Sequence, residues 1–348
     1  LAELDKKTIK PLFTTDFVRE FADIAWGRGK SKVVIEAALD LGTVSAGKQK
    51  EEICELELEL REGEPEALLE LAAELAASLP LFPCDISKAE RGYRLLDPAS
   101  YQVSLPAPEL DPEMSLDDAF SAIAWHLLAS SQRLAEQYQH TGHWRLLQDW
   151  VQCLGELRAM ASSLGQAAPR ATTRELRSRL DALLEDWRTL VLAGNDDEDV
   201  RRAAPEQFAD ELLDNRWGQF SLDTSRWLLA RGWTAERNKR GERQGAAALA
   251  NWLSVELGDE AKALQLPLYQ QQPEDLAEQL PRIERLLAWL HYARSVLLEA
   301  PELDRLYGEL SKLQQLANQP ISDEILDARV QQAFAVAQSR GWKHLVRK

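Results

Sequence analysis

The chain has 348 residues and carries 57 acidic against 41 basic side chains, a formal net charge of -16. That balance excludes a general nucleic-acid binder, which needs a basic footprint, and leaves room only for local basic patches. No apolar run approaches the ~20 residues of a membrane-spanning helix. Three widely spaced cysteines, Cys54, Cys84 and Cys153, give neither a disulfide framework nor a zinc spacing, as suits reduced thiols in a cytoplasmic protein of about two domains. The first residues, Leu1 to Asp5, show no start methionine and no signal-peptide pattern, which predicts that the chain begins inside a longer protein.

Leu12 to Trp26 mixes aromatic, β-branched and polar residues without a helical stripe. It reads as a strand with Phe13, Thr15, Phe17 and Arg19 on one face. Gly27 to Lys30 reads as a turn. Lys32 to Leu41 predicts a meander partner, with Val34, Glu36, Ala38 and Asp40 on one face and Val33, Ile35, Ala37 and Leu39 on the other. Gly42 to Gly47 reads as the next turn. Ile53 to Leu60 (ICELELEL) then alternates with period two. A strand places Glu55, Glu57 and Glu59 on one face, and Cys54, Leu56, Leu58 and Leu60 on the other.

Three carboxylates in a row repel one another. They stay ionised either on a wet solvent face or against cations. Hard divalent ions such as Mg²⁺ or Mn²⁺ take oxygen ligands and bridge them to phosphate. The pattern therefore fits both an ordinary solvent face and a metal–phosphate site. Glu66 to Leu79 carries apolar positions at helical spacing, with Pro65 allowed in the first turn and Pro80 and Pro83 ending the helix. Ile86 to Leu96, bearing Lys88 and Arg91, reads as a basic, strand-like ending.

On Pro11 to Glu20, Ile35-Glu36 to Asp40, Cys54 to Leu60, and Leu81 to Tyr93 with Ser87-Lys88 and Arg91-Gly92, residues 1–96 resemble the later, C-terminal part of a CYTH domain, the triphosphate tunnel metalloenzyme fold. The resemblance implies eight antiparallel strands closed into a tunnel, where Lys and Arg grip a triphosphate and glutamates hold divalent metal. It makes Glu55 and Glu57 the metal ligands and Glu36, Asp40 and Glu59 acidic wall residues. Arg19, Lys88 and Arg91 then hold phosphate, with Lys88 and Arg19 in the catalytic role. The ExExK strand of that family does not occur ahead of Pro11. Three or four strands cannot close a tunnel, so the chain alone is expected to be inactive. An open half-barrel also leaves sheet edges through which copies could self-associate.

Residues 97–113 hold four prolines and no helical stripe, and read as an ordered linker. Ser115 is a good N-cap with acids behind it. From there the pattern is helical, near 116–139, 143–164, 172–193, 205–215, 222–231, 234–258, 274–299, 302–317 and 322–340. Thr172-x-x-Glu175 reads as a capping box. Gly165, Gly194, Gly232 and Gly258 read as helix ends. Pro281 either starts a helix or kinks one. Tryptophans such as Trp150, Trp187, Trp252 and Trp289 fall on apolar stripes and read as core. His140 and His143 straddle Thr141-Gly142, which fits a metal pair or an exposed turn. No nucleophile elbow, P-loop, HExxH or CxxC motif occurs.

In domain order, and in the Leu157-Arg158 and Leu280-Pro-Arg282-Ile-Glu-Arg285 steps, residues 114–348 resemble the CHAD family of helical bundles. That resemblance implies a groove for inorganic polyphosphate, with Arg158, Arg174, Arg177, Arg282 and Arg285 as candidates. A solvated helical face accounts for the same arginines. The expected architecture is a partial antiparallel CYTH β-tunnel with a helix (α+β), residues 1–96, followed by an all-α CHAD-like domain, residues 114–348. The expected function is that of bacterial CYTH–CHAD inorganic triphosphatases: Mg²⁺- or Mn²⁺-dependent hydrolysis of inorganic triphosphate by the intact parent. The alternatives are a polyphosphate-binding or scaffolding helical module without catalysis, and class IV adenylyl cyclase-like activity. No nucleic-acid or membrane partner is expected.

Overall fold

The computed structural model describes residues 10–27, 32–98, 102–297 and 300–347. Residues 28–30 of the expected first turn, and Leu1 to Asp5, lie outside that set. Three strands, β1 (Thr14–Trp26), β2 (Val33–Ala46) and β3 (Gln49–Glu62), form an antiparallel sheet in the order β1-β2-β3. The expected alternation sets the register. Arg19 lies opposite Asp40, which lies opposite Glu55, while Ala38 faces Glu57 and Glu36 faces Glu59. Directly opposed residues share a face, so the acids of β2 and β3 form one patch.

Each face of the sheet is covered differently. Val33 and Ile35 of β2 pack with Ala67 and Leu71 of helix α1 (Glu66–Ala76), and Ile24, Trp26, Leu58 and Leu60 close around them. On the acidic side, Val44, Ala46 and Ile53 pack with Leu95, Phe13 and Phe17. Leu95 belongs to α2 (Lys88–Leu96), and this corrects the strand-like reading of residues 86–96. The Ser87 hydroxyl caps the Glu90 N–H and the Glu90 carboxylate accepts from the Ser87 N–H at 2.9 Å, a reciprocal capping box.

The turn expected over Gly42 to Gly47 is also corrected. β2 runs on to Ala46, and Gly47, at φ +59°, turns the chain. Gly42 stays in the strand because β1 approaches it closely: a Cβ there would stand 2.1 Å from the Asp16 carbonyl oxygen.

The helical region holds α3 (Leu116–Thr141), α4 (Trp144–Ser163), α5 (Arg174–Gly194), α6 (Glu198–Leu213), α7 (Asn215–Leu229), α8 (Lys239–Gly245), α9 (Leu249–Leu264), α10 (Leu280–Ala293), α11 (Ala300–Asn318), α12 (Asp323–Gln338) and α13 (Arg340–Arg347). Two compact units divide the described chain. One comprises the described residues within 1–105, 132–146 and 202–229; the other comprises those within 106–131, 147–201 and 230–348. In the first, α1 packs on α7, and Phe82 stacks on Trp217 with ring centres 6.3 Å apart. In the second, Trp252 meets Trp289 edge to face at 4.9 Å, and the Trp289 indole N–H donates to the Ser163 hydroxyl at 2.7 Å. The Ser115 hydroxyl accepts from the Asp118 N–H at 3.1 Å, as an N-cap should.

Several helix boundaries move. The Thr172 box does not form: the Thr172 hydroxyl donates to the Pro169 carbonyl at 2.8 Å, and α5 starts after Thr173 with no side-chain cap. Pro205 lies inside α6. The stretch 234–258 divides into α8 and α9, and Gly258 sits within α9, where a Cβ would stand 3.0 Å from the Leu345 carbonyl oxygen. Pro281 stands in the first turn of α10 and starts it. No described helix is long and apolar enough to cross a membrane.

Candidate functional site

The acidic face of the sheet and the basic face of α2 meet. Lys88, Arg91 and Arg94 are spaced by three, so a helix places them along one side, and all three reach down to β2 and β3. The Lys88 ammonium donates to Glu57 Oε1 at 2.7 Å and lies 2.8 Å from Asp40 Oδ2 and 3.4 Å from Glu55 Oε2. Arg91 pairs with Glu55 through Nη2, and its Nη1 donates to the Glu52 carbonyl at 3.3 Å. From β1, Arg19 donates to both oxygens of Asp40 at 2.7 Å and to Glu57 Oε2 at 2.6 Å. Phe17 lies beneath these cations, its ring centre 5.1 Å from Lys88 Nζ.

Asp40 is the anchor. Its side chain is 0% exposed, covered by the two cations that hold it. The Arg19 hydrogen bonds outweigh the cost of desolvation and draw the Asp40 carboxyl down to about 2, with Lys88 adding to the effect. Glu57 bridges Lys88 and Arg19, and its carboxyl is held below the usual range first by the Lys88 hydrogen bond. Burial works against the Lys88 ammonium, but the hydrogen bonds to Asp40 and Glu57 prevail and raise its pKa.

A second row of pairs flanks the first. Arg61 sits at a bulge, since β2 and β3 shift register between Val34 and Ile35, with Val34 opposite Glu62 and Ile35 opposite Leu60. The extra residue turns toward the acids, and Arg61 binds Glu36 at 2.6 Å and Glu59 at 2.8 Å. At the other end Arg94, 1% exposed, binds Glu51 at 2.9 Å, Glu136 at 2.8 Å and the Gln137 amide oxygen at 2.9 Å. His140 approaches Glu51 at 3.8 Å, and burial beside Arg94 lowers its pKa. His143 is exposed on the turn.

The structure thus brings Arg19, Glu36, Asp40, Glu55, Glu57, Glu59, Lys88 and Arg91 onto one face. Sequence reasoning missed Arg61, Arg94, Glu51 and Glu136. The spacing of Lys88, Arg91 and Arg94 behind a Ser-x-x-Glu start was the available signal for Arg94. Nothing local marks the bulge at Arg61 or the reach of Glu136 from α3. The donor set is carboxylate oxygen, which suits a hard divalent ion, and Glu57 and Glu59 keep 45% and 63% of their side chains exposed. Among the described residues no three acidic, histidine or cysteine side chains converge as a ready metal cluster; arginine and lysine occupy the carboxylates instead.

The candidate arginines of the helical region fall into two groups. Arg158 pairs with Asp181 at 2.8 Å. Arg177 donates to Thr173 Oγ1 at 3.2 Å and to the Arg170 carbonyl at 3.3 Å. Burial, then the nearby charge of Arg158, lower its pKa, with Asp181 opposing and Arg170 and Arg174 adding to the fall. Arg282 and Arg285 share Glu260 instead, at 3.2 and 2.9 Å.

An antiparallel sheet whose acidic face is clasped by a basic helix is the arrangement against which the comparisons with known proteins are set. Residues 1–93 match the CYTH domain family. The chain is also similar to a particular protein, the inorganic triphosphatase of Haemophilus influenzae, with 34% identity over 93 residues. That alignment covers 27% of this chain and 25% of the relative, so the chain spans about a quarter of the length of the curated relative it matches.

Proposed function

We propose that the acidic–basic face is one wall of a triphosphate site, and that the protein of which it forms part hydrolyses inorganic triphosphate. The observation that carries the reading is the clasp of Lys88 and Arg19 on Glu57 and Asp40, within the residues that match the CYTH family and in a chain similar over 93 residues to a triphosphatase. In this reading Arg19, Lys88 and Arg91 hold phosphate oxygens, where cations neutralise charge developing on the transferred phosphoryl group. Asp40 holds Arg19 and Lys88 in place. Glu55 and Glu57 would hold Mg²⁺ or Mn²⁺; such an ion, when bound, supplies Lewis-acid neutralisation of phosphate charge. Water attacks the terminal phosphorus, the bridging P–O bond breaks, and orthophosphate and pyrophosphate leave. Glu36 and Glu59, tied to Arg61, line the outer wall.

The test is orthophosphate release from inorganic triphosphate, with ATP as the comparison, in Mg²⁺ or Mn²⁺. The three described strands leave both outer edges of the sheet without a partner strand among the described residues, so an N-terminally extended protein that closes the wall is the form expected to turn over. Triphosphate is expected to be preferred over ATP, and Glu57→Gln to abolish turnover. Cyclic AMP formation from ATP, or full activity in Glu57→Gln, would overturn the assignment.

A second reading concerns residues 114–348, proposed as a CHAD-like polyphosphate-binding module. The like charges of Arg158, Arg170 and Arg174 acting on Arg177 favour it, although Asp181 already pairs with Arg158. The pairing of Arg282 and Arg285 with Glu260 weighs against their part in it. Polyphosphate binding that weakens with salt, and is lost in Arg174→Ala with Arg177→Ala, tests the module.

A further inference from the structure

In the second unit, α8, the middle of α9 and the turn at Gly165 line an open cleft with a cavity volume of about 630 Å³, within the range of small-molecule sites. Its walls are fixed by groups that do not face it. The Asn238 side chain accepts from the N–H groups of Arg240 and Gly241 at 3.0 and 2.9 Å. Gly241 lies so close to the Gln166 carbonyl oxygen that a Cβ would come within 2.7 Å of it. Arg237 donates to the Ala167 carbonyl and grips both oxygens of Asp117 at 2.6 Å. The cavity is therefore held open by hydrogen bonds already made.

Its lining is the reverse. Among the described residues, the side chains of Arg240, Arg243, Gln244, Asn251, Glu256 and Asp259 make no hydrogen bond or ion pair with another protein group, although all six line one cavity. On the sheet face of the first unit, by contrast, each acid and base named above is paired. The charges in the cavity are also sorted. Arg240 and Arg243 stand one turn apart on α8, and Glu256 and Asp259 one turn apart on α9. Burial pushes the Glu256 carboxyl up to about 7, with Glu260 and Asp259 adding to the rise and only Arg285 opposing it. The two pairs stand on different helices, and no ion pair joins an α8 arginine to either acid. Trp252, buried against Trp289, and Val255 give an apolar stretch of wall.

We propose that this cavity binds a small ampholyte, a molecule with a carboxylate or phosphate at one end and an ammonium at the other. Arg240 and Arg243 take the anion, Glu256 and Asp259 take the cation, and the amides of Gln244 and Asn251 serve a polar linker. A polyanion would set its charge against Glu256 and Asp259, and a polycation would meet the two guanidinium groups.

Calorimetric titration of the full chain with phosphoethanolamine, glycylglycine and triglycine tests the idea, with N-acetyltriglycine and triglycinamide as singly charged controls and inorganic triphosphate as the polyanion. At least one ampholyte is expected to saturate at about millimolar concentration and to weaken about fivefold in both Arg243→Ala and Asp259→Asn, one exposed charge contact being lost in each. Both side chains are exposed, and circular dichroism checks that each variant folds. The proposal falls if none of the three ampholytes saturates, or if a singly charged control binds as well as its parent. It also falls if only the arginine variant matters and triphosphate competes.

Discussion

Asp40→Asn keeps the shape of the side chain and removes the charge at the centre of the clasp. Asp40 accepts two hydrogen bonds from Arg19 at 2.7 Å, and the Lys88 ammonium lies 2.8 Å away. Hydrogen bonds to charged groups contribute about 1.5–3 kcal/mol each. Arg19 is 38% exposed, and water recovers much of what it loses, so the expected net loss is about 2 kcal/mol. That corresponds to roughly thirty-fold faster opening of the sheet. Hydrogen exchange of β1 and β2 peptides at pH 7 measures it as the ratio of variant to wild type. The pH dependence has a definite sign. The folded Asp40 carboxyl sits at about 2 against an ordinary 3.8, so its stabilisation is present above the ordinary value and is lost as pH falls from about 4 towards 2. The two proteins should therefore converge in that window. Equal protection at pH 7, or a difference that persists at the acid end, would refute the reasoning.

Arg94→Met leaves Glu51 and Glu136 facing each other without their shared cation; breaking a buried pair costs about 3–5 kcal/mol, seen as early proteolysis at β3 and α3 under urea. In Gly218→Ala, the new Cβ would stand 2.0 Å from the Leu81 backbone oxygen, so the thermal midpoint should fall, with an overpacking cost of about 1–3 kcal/mol.

The alternation of β3 was enough to place Glu55, Glu57 and Glu59 on one face, because period two admits no other arrangement in a strand. The length of β2 was not legible from Gly42. A glycine marks a turn or a close approach, and only the position of β1 decides between them. Helix α2 was not legible as a helix because Lys88 to Leu96 is short and rich in charge, and the Ser87-x-x-Glu90 cap is its main local mark. Thr172-x-x-Glu175 is the opposite case: the same pattern is present, but the Thr172 hydroxyl finds the Pro169 carbonyl first. A capping sequence offers hydrogen bonds, and the geometry upstream determines whether they are taken. Glu136 and Arg133 join the face of α2 from a helix about forty positions onward, with Arg133 on Asp85 at 3.0 Å and on Glu90 at 2.9 Å; no local period carries such a contact.

The wall sorts its carboxylates into two kinds. Asp40 is covered, held by both oxygens, and has the most to lose if its partners leave, since an uncompensated buried charge is costly. Glu57 receives one contact from Lys88 and one from Arg19, and water reaches nearly half of it. A phosphate oxygen approaching Lys88 and Arg19 would compete first with Glu57, because an exposed carboxylate regains hydration when released. Lys88 and Arg19 would meanwhile keep their contacts with Asp40. The face therefore has a fixed anchor beneath an exchangeable layer. Anion binding frees Glu57 in turn, and a freed carboxylate beside bound phosphate needs a cation nearby. On the proposed reading Glu57 is therefore the side chain placed to meet a metal ion, while Asp40 orders the cations.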